Sequence, residues 1–573
     1  MADLGRAYLD FKKYSKSASL LLLTIRKNER FHYLNLLKSF YKESSLHIYH
    51  YTLSALFYLK DFNNFFNISE SIHASEYLKR LSLRRVIEIS EISVEDCFAL
   101  LKYKDSIERI SSQLNDLISL TSFDFKEKPE FLSQITALST QMAQAESDFI
   151  ALDNSLMSNE KYKQLRNPDI ATIDEAKKLC GADGVIFEYI IPPHKGEHLN
   201  PYILVISAEY TEVIELDKEY PYSEKIESLR EEIIKKKTNH KDHSNHSPNT
   251  VKRISSELYN ILVKPVEEFI EKKQNLIIVP DGPLAFLPFD ALRTGENKLK
   301  DKSITLTPSV SVSIMTRKRE YSTDKQFLGF GGGIYSDKDD NGETKGRYRN
   351  REFSPDESKR IAEKYFNNTA EYFREHSFQW NNLSGAKDEV IYIGKEIFKN
   401  PGVDIYTGLD VTEKKLKQLS AEGKLLGYSS IHFSCHGYFD PEFSYYSALI
   451  FSEVSGRITD SNEDGYLTVE DASVLNIQAD IVVLSACNTG MGKFVSGDGI
   501  TGLTRAFQVA GANSVLVTLW EVDDEATKEF MISMYGKVKD CCSYREAVNI
   551  TKEEFRGTSK SDPYYWAGFV LYE

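Results

Sequence analysis

Three things are scarce in this chain: cysteine, early proline and positive charge. Its six cysteines, Cys97, Cys180, Cys435, Cys487, Cys541 and Cys542, are few and scattered over 573 residues. That spacing excludes a disulfide framework and fits a reducing, cytoplasmic setting in which a thiol stays available for chemistry. Lys and Arg number 71 against 85 Asp and Glu, a net charge of -14. Non-specific binding to nucleic acid or anionic membrane needs the opposite balance, and no direct sequence-specific DNA binding is expected. No apolar run approaches the ~20 residues of a membrane span. Residues 18–25 are apolar and follow lysines, but the next residues are Arg26-Lys27-Asn28-Glu29-Arg30, without a small-residue cleavage site. A secretory signal is therefore not expected.

Up to residue 154 the one proline is Pro129, and what is present instead is helical periodicity. Leu34, Leu37, Phe40 and Tyr41 recur at three- and four-residue spacing, which lays an apolar stripe along a helix. Leu4-Gly5-Arg6-Ala7-Tyr8 has the Leu-Gly-x-x-Tyr core of a tetratricopeptide repeat, with Ser17 at the small position that lets two helices approach. A second unit from about His32 is degraded, with Leu37 and Tyr41 as its clear echoes. Residues 1–155 are thus read as repeat-like helical hairpins or a generic bundle. Residues 106–153 are read as long helices broken near Lys128-Pro129, either a spacer or a relay.

After Asn167-Pro168 the grammar changes. A short helix over 174–180, capped by Thr172 or Asp174, precedes a strand at 184–189 and an antiparallel pair at 202–207 and 211–216. A charged helix is expected over 222–237. Residues 235–249 form a polar stretch with His240, His243 and His246, read as a solvated loop with metal binding as the alternative. Further strands are expected at 276–279, 327–330 and 403–406. Gly331-Gly332-Gly333 is read as a tight turn, since no phosphate-loop pattern follows it. Residues 337–357 are read as a charged loop, and helices are expected at 386–398 and 411–420. Strands alternating with helices argue a mainly parallel sheet covered on both faces. At this length three or four units are expected.

Two strand-like runs end on reactive side chains. Ile431-His432-Phe433-Ser434-Cys435 stops at His436-Gly437. Asp480-Ile481-Val482-Val483-Leu484-Ser485-Ala486 stops at Cys487-Asn488-Thr489-Gly490. Right-handed crossovers can make the two strands parallel in one sheet, and catalytic groups in such sheets gather beyond the carboxyl ends of strands. A thiol is mostly protonated at neutral pH, so a nearby imidazole must take its proton. The N–H groups of Gly437 and Cys487 are the expected oxyanion-hole donors. A backbone carbonyl would suffice to orient His436. Cys435 lies within its strand and cannot easily serve His436, because adjacent strand residues face opposite sides.

The motifs around these residues resemble a CHAT-domain protease of the caspase, separase and gingipain clan, attached to tetratricopeptide-like helices. They are His432-Phe433-Ser434-Cys435-His436-Gly437, residues 479–490, Gly499-Ile500-Thr501-Gly502-Leu503-Thr504-Arg505-Ala506-Phe507, residues 520–527 and Pro563-Tyr564-Tyr565-Trp566-Ala567-Gly568-Phe569. Val279-Pro280-Asp281-Gly282-Pro283-Leu284, with Leu287-Pro288-Phe289, resembles the upstream motif of that domain. The 51 residues from His436 to Cys487 are close to the ~50 typical of caspases. The resemblance covers roughly residues 165–573. It implies an α/β caspase-like fold, a mainly parallel sheet with helices on both faces, after an all-α helical domain. The units would be 1–155, 165–400 and 401–573. It also implies a cysteine endopeptidase with His436 and Cys487 as catalytic residues and no cofactor or metal. An acidic S1 pocket would draw on Asp498, Glu521, Asp523 and Asp524, although Asp523 also reads as a helix N-cap and Asp498 as part of a Gly-Asp-Gly turn. Asp498 departs from the family's usual Glu, and Asn488 stands where Glu is frequent. The implied partners are a protein substrate and a regulatory protein or ribonucleoprotein bound by the helical region. Resemblance to bacterial CHAT proteins of CRISPR-associated and gasdermin-cleaving systems implies antiphage defence. The rival readings are a non-catalytic CHAT scaffold and a helical adaptor.

Overall fold

A computed structural model describes residues 2–32, 39–73, positions scattered between 93 and 114, 129–156, 158–159, 170–192, 196, 198–235, 248–292, 299, 302–317, 326–336, 380–399, 403–438, 447–458, 463–485, 498–520, 522–540 and 542–573. His240, His243, His246, Cys487 and Glu521 lie outside the described residues, as does the loop expected at 337–357. The chain divides into two compact units. One comprises Met1–Tyr222, Glu257–Leu284 and Thr307–Met315; the other comprises Ser223–Ser256, Ala285–Leu306 and Thr316–Glu573.

The first unit opens with helices α1 (Ala2–Asp10), α2 (Tyr14–His32), α3 (Ser39–Leu59) and α4 (Phe62–His73). The α1–α2 hairpin closes where the repeat signature places small residues. A Cβ added at Gly5 would lie 2.6 Å from the Leu21 side chain, and Ser17 Oγ donates to the Gly5 carbonyl at 2.8 Å. The apolar run of residues 18–25 is part of α2, where Ala18, Leu21 and Ile25 are buried. These helices do not close a core on their own. Leu21, Leu53, Phe65 and Phe66 belong to one cluster with Ile186, Tyr202, Leu204 and Val279 of the neighbouring strands.

Those strands are β1 (Gly184–Ile190), β2 (Tyr202–Ser207), β3 (Thr211–Glu215) and β4 (Asn275–Val279), in the order β3-β2-β1-β4. Strands β1, β2 and β3 pair antiparallel in sequence, whereas β1 and β4 are parallel. Thr172, rather than Asp174, caps the helix Ile173–Cys180, in a capping box with Glu175. Polar groups on α4 fasten it. Glu70 accepts from the Val310 and Ser311 N–H groups, at 2.9 and 2.7 Å, at the start of the helix Val310–Arg317, where a helix dipole favours a carboxylate. His73 Nδ1 lies 3.0 Å from Glu188, and its Nε2 lies 3.7 Å from Asp281. Burial alone would lower the His73 pKa, but the carboxylates of Asp281 and Glu188 raise it to about 10.

The second unit is built on β5 (Ser303–Leu306), β6 (Phe327–Gly333), β7 (Val403–Gly408), β8 (Ser430–Ser434), β12 (Ala479–Leu484), β13 (Ala512–Thr518) and β14 (Phe569–Tyr572), in the order β5-β14-β13-β12-β8-β6-β7. Every neighbouring pair is parallel except β13 with β14. A separate three-stranded antiparallel sheet holds β9 (His436–Tyr438), β10 (Ala448–Ile450) and β11 (Tyr466–Thr468).

Three local expectations need correction. The glycines at 331–333 are not a turn but the end of β6. A Cβ at Gly331 would meet the Ala386 carbonyl at 2.5 Å, and Gly332 has φ +65 beside a register shift. Close approach of the helix Ser384–Tyr392, not chain reversal, requires them. Asn249 is not in a loop but in the helix Pro248–Leu262. His436 and Gly437 do not merely end a strand, for they begin β9.

Candidate active site

Strand β8 mixes polar and apolar residues yet is buried throughout. Alternation explains this, since successive side chains face opposite sides of the sheet. Phe433 stacks with Phe330 at a centroid distance of 5.6 Å and packs near Phe507 at 5.5 Å. Ser430 and His432 meet polar partners on helices instead. Ser430 Oγ pairs with the Tyr544 hydroxyl at 2.5 Å. The His432 Nε2 hydrogen bond to Glu389 Oε1 is 2.7 Å long, and its Nδ1 lies 3.3 Å from the Tyr535 hydroxyl. The same Glu389 oxygen accepts from Ser485 Oγ at 2.9 Å. One buried carboxylate therefore joins β8 to the end of β12.

The parallel pairing of β8 with β12 was expected, and the strands prove to be immediate neighbours. Ile481 is level with Ser430 and Leu484 with Phe433. Ser485 N–H continues the ladder, donating to the Phe433 carbonyl at 2.9 Å. His436 stands three residues past Phe433, and Cys487 stands three residues past Leu484.

His436 is held on three sides. Its Nε2 lies 2.7 Å from the Asn381 carbonyl oxygen, which can only accept. Nε2 therefore carries the proton, and Nδ1 is the acceptor nitrogen of the neutral ring. The Tyr335 ring lies 4.7 Å away edge-on, and the Trp380 ring lies 5.4 Å away, tilted. Only 8% of His436 is exposed. Burial, opposed by the hydrogen bond to Asn381, lowers its pKa to about 4. At neutral pH this imidazole is uncharged, the protonation state a general base starts from, and the lowered pKa makes it a weaker proton acceptor than an exposed imidazole.

Gly437 lies in β9, level with Leu449 of β10. Asp498 begins the helix Asp498–Ala510. Asp523 is the N-cap of the helix Asp524–Lys539, its carboxylate accepting from Ala526 N–H at 3.2 Å. Asp524 is exposed, and a Cβ added at Gly385 would lie 3.5 Å from its Cβ. That puts one acidic residue beside the start of the helix that carries Glu389. Cys435 is buried and Cys542 half-buried. Sequence reasoning missed Glu389, Tyr335, Trp380 and Asn382. Glu389 sits in an ordinary helical pattern, and a carbonyl contact such as that of Asn381 leaves no trace in residue type.

A mostly parallel set of strands with helices packed on it is an α/β architecture, and it places a buried imidazole just past the end of a central strand. Residues 252–573 match the CHAT domain, and the chain belongs to that family. Among curated proteins, Tetratricopeptide repeat protein 28 of Mus musculus is 38% identical over 109 residues, and that of Homo sapiens is 36% identical over 109. Each match covers 18% of this chain and 4% of the relative's length. Among solved structures, the Saccharomyces cerevisiae separase–securin complex aligns over 100% of this chain and 46% of that chain, with 12% identity and a TM-score of 0.40. The Arg-specific cysteine proteinase gingipain R aligns over 57% of this chain and 68% of its own, with 11% identity and a TM-score of 0.30.

Proposed function

We propose that this protein is a cysteine endopeptidase in which Cys487 is the nucleophile and His436 the general base. The observation that carries the reading is His436 itself: buried, neutral, fixed as the Nε2–H tautomer, and next to the strand that leads to Cys487. Two peptide units separate Cys487 from Ser485, so its Cα lies within about 7.6 Å of the Ser485 Cα. With Ser485 hydrogen-bonded to Phe433, three residues before His436, this supports placing Cys487 at the same end of the sheet as the ring.

In this reading His436 Nδ1 takes the thiol proton as sulfur bonds to the scissile carbonyl carbon. The N–H groups of Gly437 and Cys487 stabilise the resulting oxyanion. Collapse breaks the C–N bond, and the imidazolium protonates the departing amine. Water, deprotonated by the same ring, then cleaves the thioester and restores the thiol. Because burial keeps the ring neutral, proton transfer accompanies attack, and no resting thiolate–imidazolium pair is formed. Asp498, Glu521, Asp523 and Asp524 are the proposed S1 acids. Asp524 is favoured over Asp523, whose carboxylate is engaged in capping. Helices α1–α4 are proposed to receive a regulatory partner, and the implied setting is antiphage defence.

The test is Cys487→Ala and His436→Ala, assayed separately on a pool of fluorogenic tetrapeptide amides. Both should abolish turnover. In parallel, a peptidyl chloromethylketone, seated as a substrate would be, should alkylate Cys487 well before Cys542. Wild-type turnover by either variant overturns the reading.

A further inference from the structure

The base is aimed by a main-chain oxygen, and such an oxygen is only as fixed as its peptide plane. The plane of the Asn381 carbonyl also contains the nitrogen and Cα of Asn382. Whatever grips Asn382 therefore grips the oxygen that faces His436. Asn382 Oδ1 accepts from Tyr335 N–H at 2.8 Å and from Ser336 N–H at 3.4 Å. Both partners are donors, so the side chain must present its oxygen and not its nitrogen.

The far side of this grip is itself anchored. Ile334 N–H donates to Ser452 Oγ at 3.0 Å, and Ser452 Oγ donates to the Gly408 carbonyl at 2.9 Å. A Cβ at Gly333 would lie 2.8 Å from the Tyr335 hydroxyl oxygen, so glycine there admits the ring that flanks His436. The other ring beside His436 is anchored too: Trp380 Nε1 donates to the Tyr466 hydroxyl at 3.4 Å, and Tyr466 belongs to β11. The contacts close a circuit. It runs from His436 on β9 through β10 to Tyr466, then Trp380, Asn381, Asn382 and Tyr335, and back to the imidazole.

We infer that Asn382 is a positioning residue for His436: it clamps the main chain at Tyr335 and Ser336, fixes the Asn381 carbonyl, and so selects the Nε2–H tautomer and aims Nδ1. The inference rests on the cysteine-peptidase reading of the site. Asn382 touches no reacting atom, and its effect passes through the Asn381 peptide.

The experiment uses the full chain with Asn382→Ala and Asn382→Asp. Alanine removes the acceptor, whereas aspartate keeps an oxygen that can take both amides. Two readouts are needed. The first is kcat and KM on the tetrapeptide pool. The second is the ¹⁵N spectrum of histidine-labelled protein, with His436 assigned by its loss in His436→Gln. Asn382→Ala should lower kcat about 10- to 100-fold, the scale of a misplacement near 1 Å, and leave KM close to wild type. Its His436 should lose the single Nε2–H signature and show mixed tautomers. Asn382→Asp should recover most of both. An Asn382→Ala protein with wild-type kcat and tautomer overturns the inference and leaves the peptidase reading standing. A fall in kcat with the tautomer unchanged also overturns it, because it marks a merely structural role. If the wild type has no turnover, the peptidase reading fails, and the spectra alone decide whether Asn382 sets the ring. Should Asn382→Ala not fold, Asn382→Ser, too short to reach both amides, is judged by the same criteria.

Discussion

Lowering the pH should destabilise the second unit through His436 itself. The unfolded ring takes a proton near 6.5, and the buried ring refuses it until about pH 4. Stability from this group is therefore full above pH 6.5 and drains away as pH falls through the interval to about 4. The whole interval is worth about 3 kcal/mol, of which about 2 kcal/mol is lost between pH 7 and pH 5. Other groups titrate in the same range, so the measurement must be a difference between wild type and His436→Gln, whose side chain is neutral throughout. Near 300 residues, 1 kcal/mol moves Tm by about 2 °C. On going from pH 7 to pH 5, wild type should lose about 4 °C more than His436→Gln. Scanning fluorimetry of both proteins across that range reads the effect directly. The acid limb of kcat/KM on the tetrapeptide pool should likewise fall well below pH 6.5. Parallel Tm curves for the two proteins, or an acid limb at 6.5 or above, would refute the claim that burial holds this imidazole neutral.

Other outcomes follow from buried partners. Glu389→Ala leaves the His432 ring and the Ser485 hydroxyl without their shared acceptor, and should destabilise the second unit by about 3 kcal/mol, read as a lower Tm. Asp290→Ala leaves Lys552 buried without its carboxylate and should cost about 3–5 kcal/mol. Replacing both residues by apolar ones of similar volume should cost much less, which a double-mutant comparison of Tm checks. Gly331→Val should push the helix Ser384–Tyr392 off β6, since its Cβ would meet the Ala386 carbonyl at 2.5 Å. Hydrogen exchange over 384–392 should then accelerate. Gly5→Val should open the α1–α2 hairpin in the same way, seen as faster exchange over residues 2–25.

Much of the fold was legible because the physics is local. Strands 184–189, 202–207, 276–279 and 403–406 carry their own apolar runs, and each forms within a residue or two of its expected bounds. The helix over 174–180 announces its start through Thr172 and Glu175, three residues apart. The Leu-Gly-x-x-Tyr core and Ser17 announce a close helix pair because only small residues permit one. Where expectation failed, the deciding contact came from far along the chain. Nothing near Gly331 says that a helix some 55 residues later will lie across it. Nothing near residues 436–438 says that they will pair with 448–450. The first four helices are periodic enough to suggest a bundle of their own, yet their apolar stripe is completed by strand residues such as Tyr202 and Val279.

By itself the chain's order of residues determined that a histidine would stand just past one central strand and a cysteine just past another. Strand length and residue spacing are local quantities, and side-chain chemistry travels with the residue. Tertiary structure alone decided how that histidine behaves. The Asn381 carbonyl chooses its tautomer, Tyr335 and Trp380 remove it from water, and the loss of hydration keeps it neutral. A pKa and a ring orientation belong to surroundings, and these surroundings are assembled from segments that begin 101 and 56 residues before the histidine they hold.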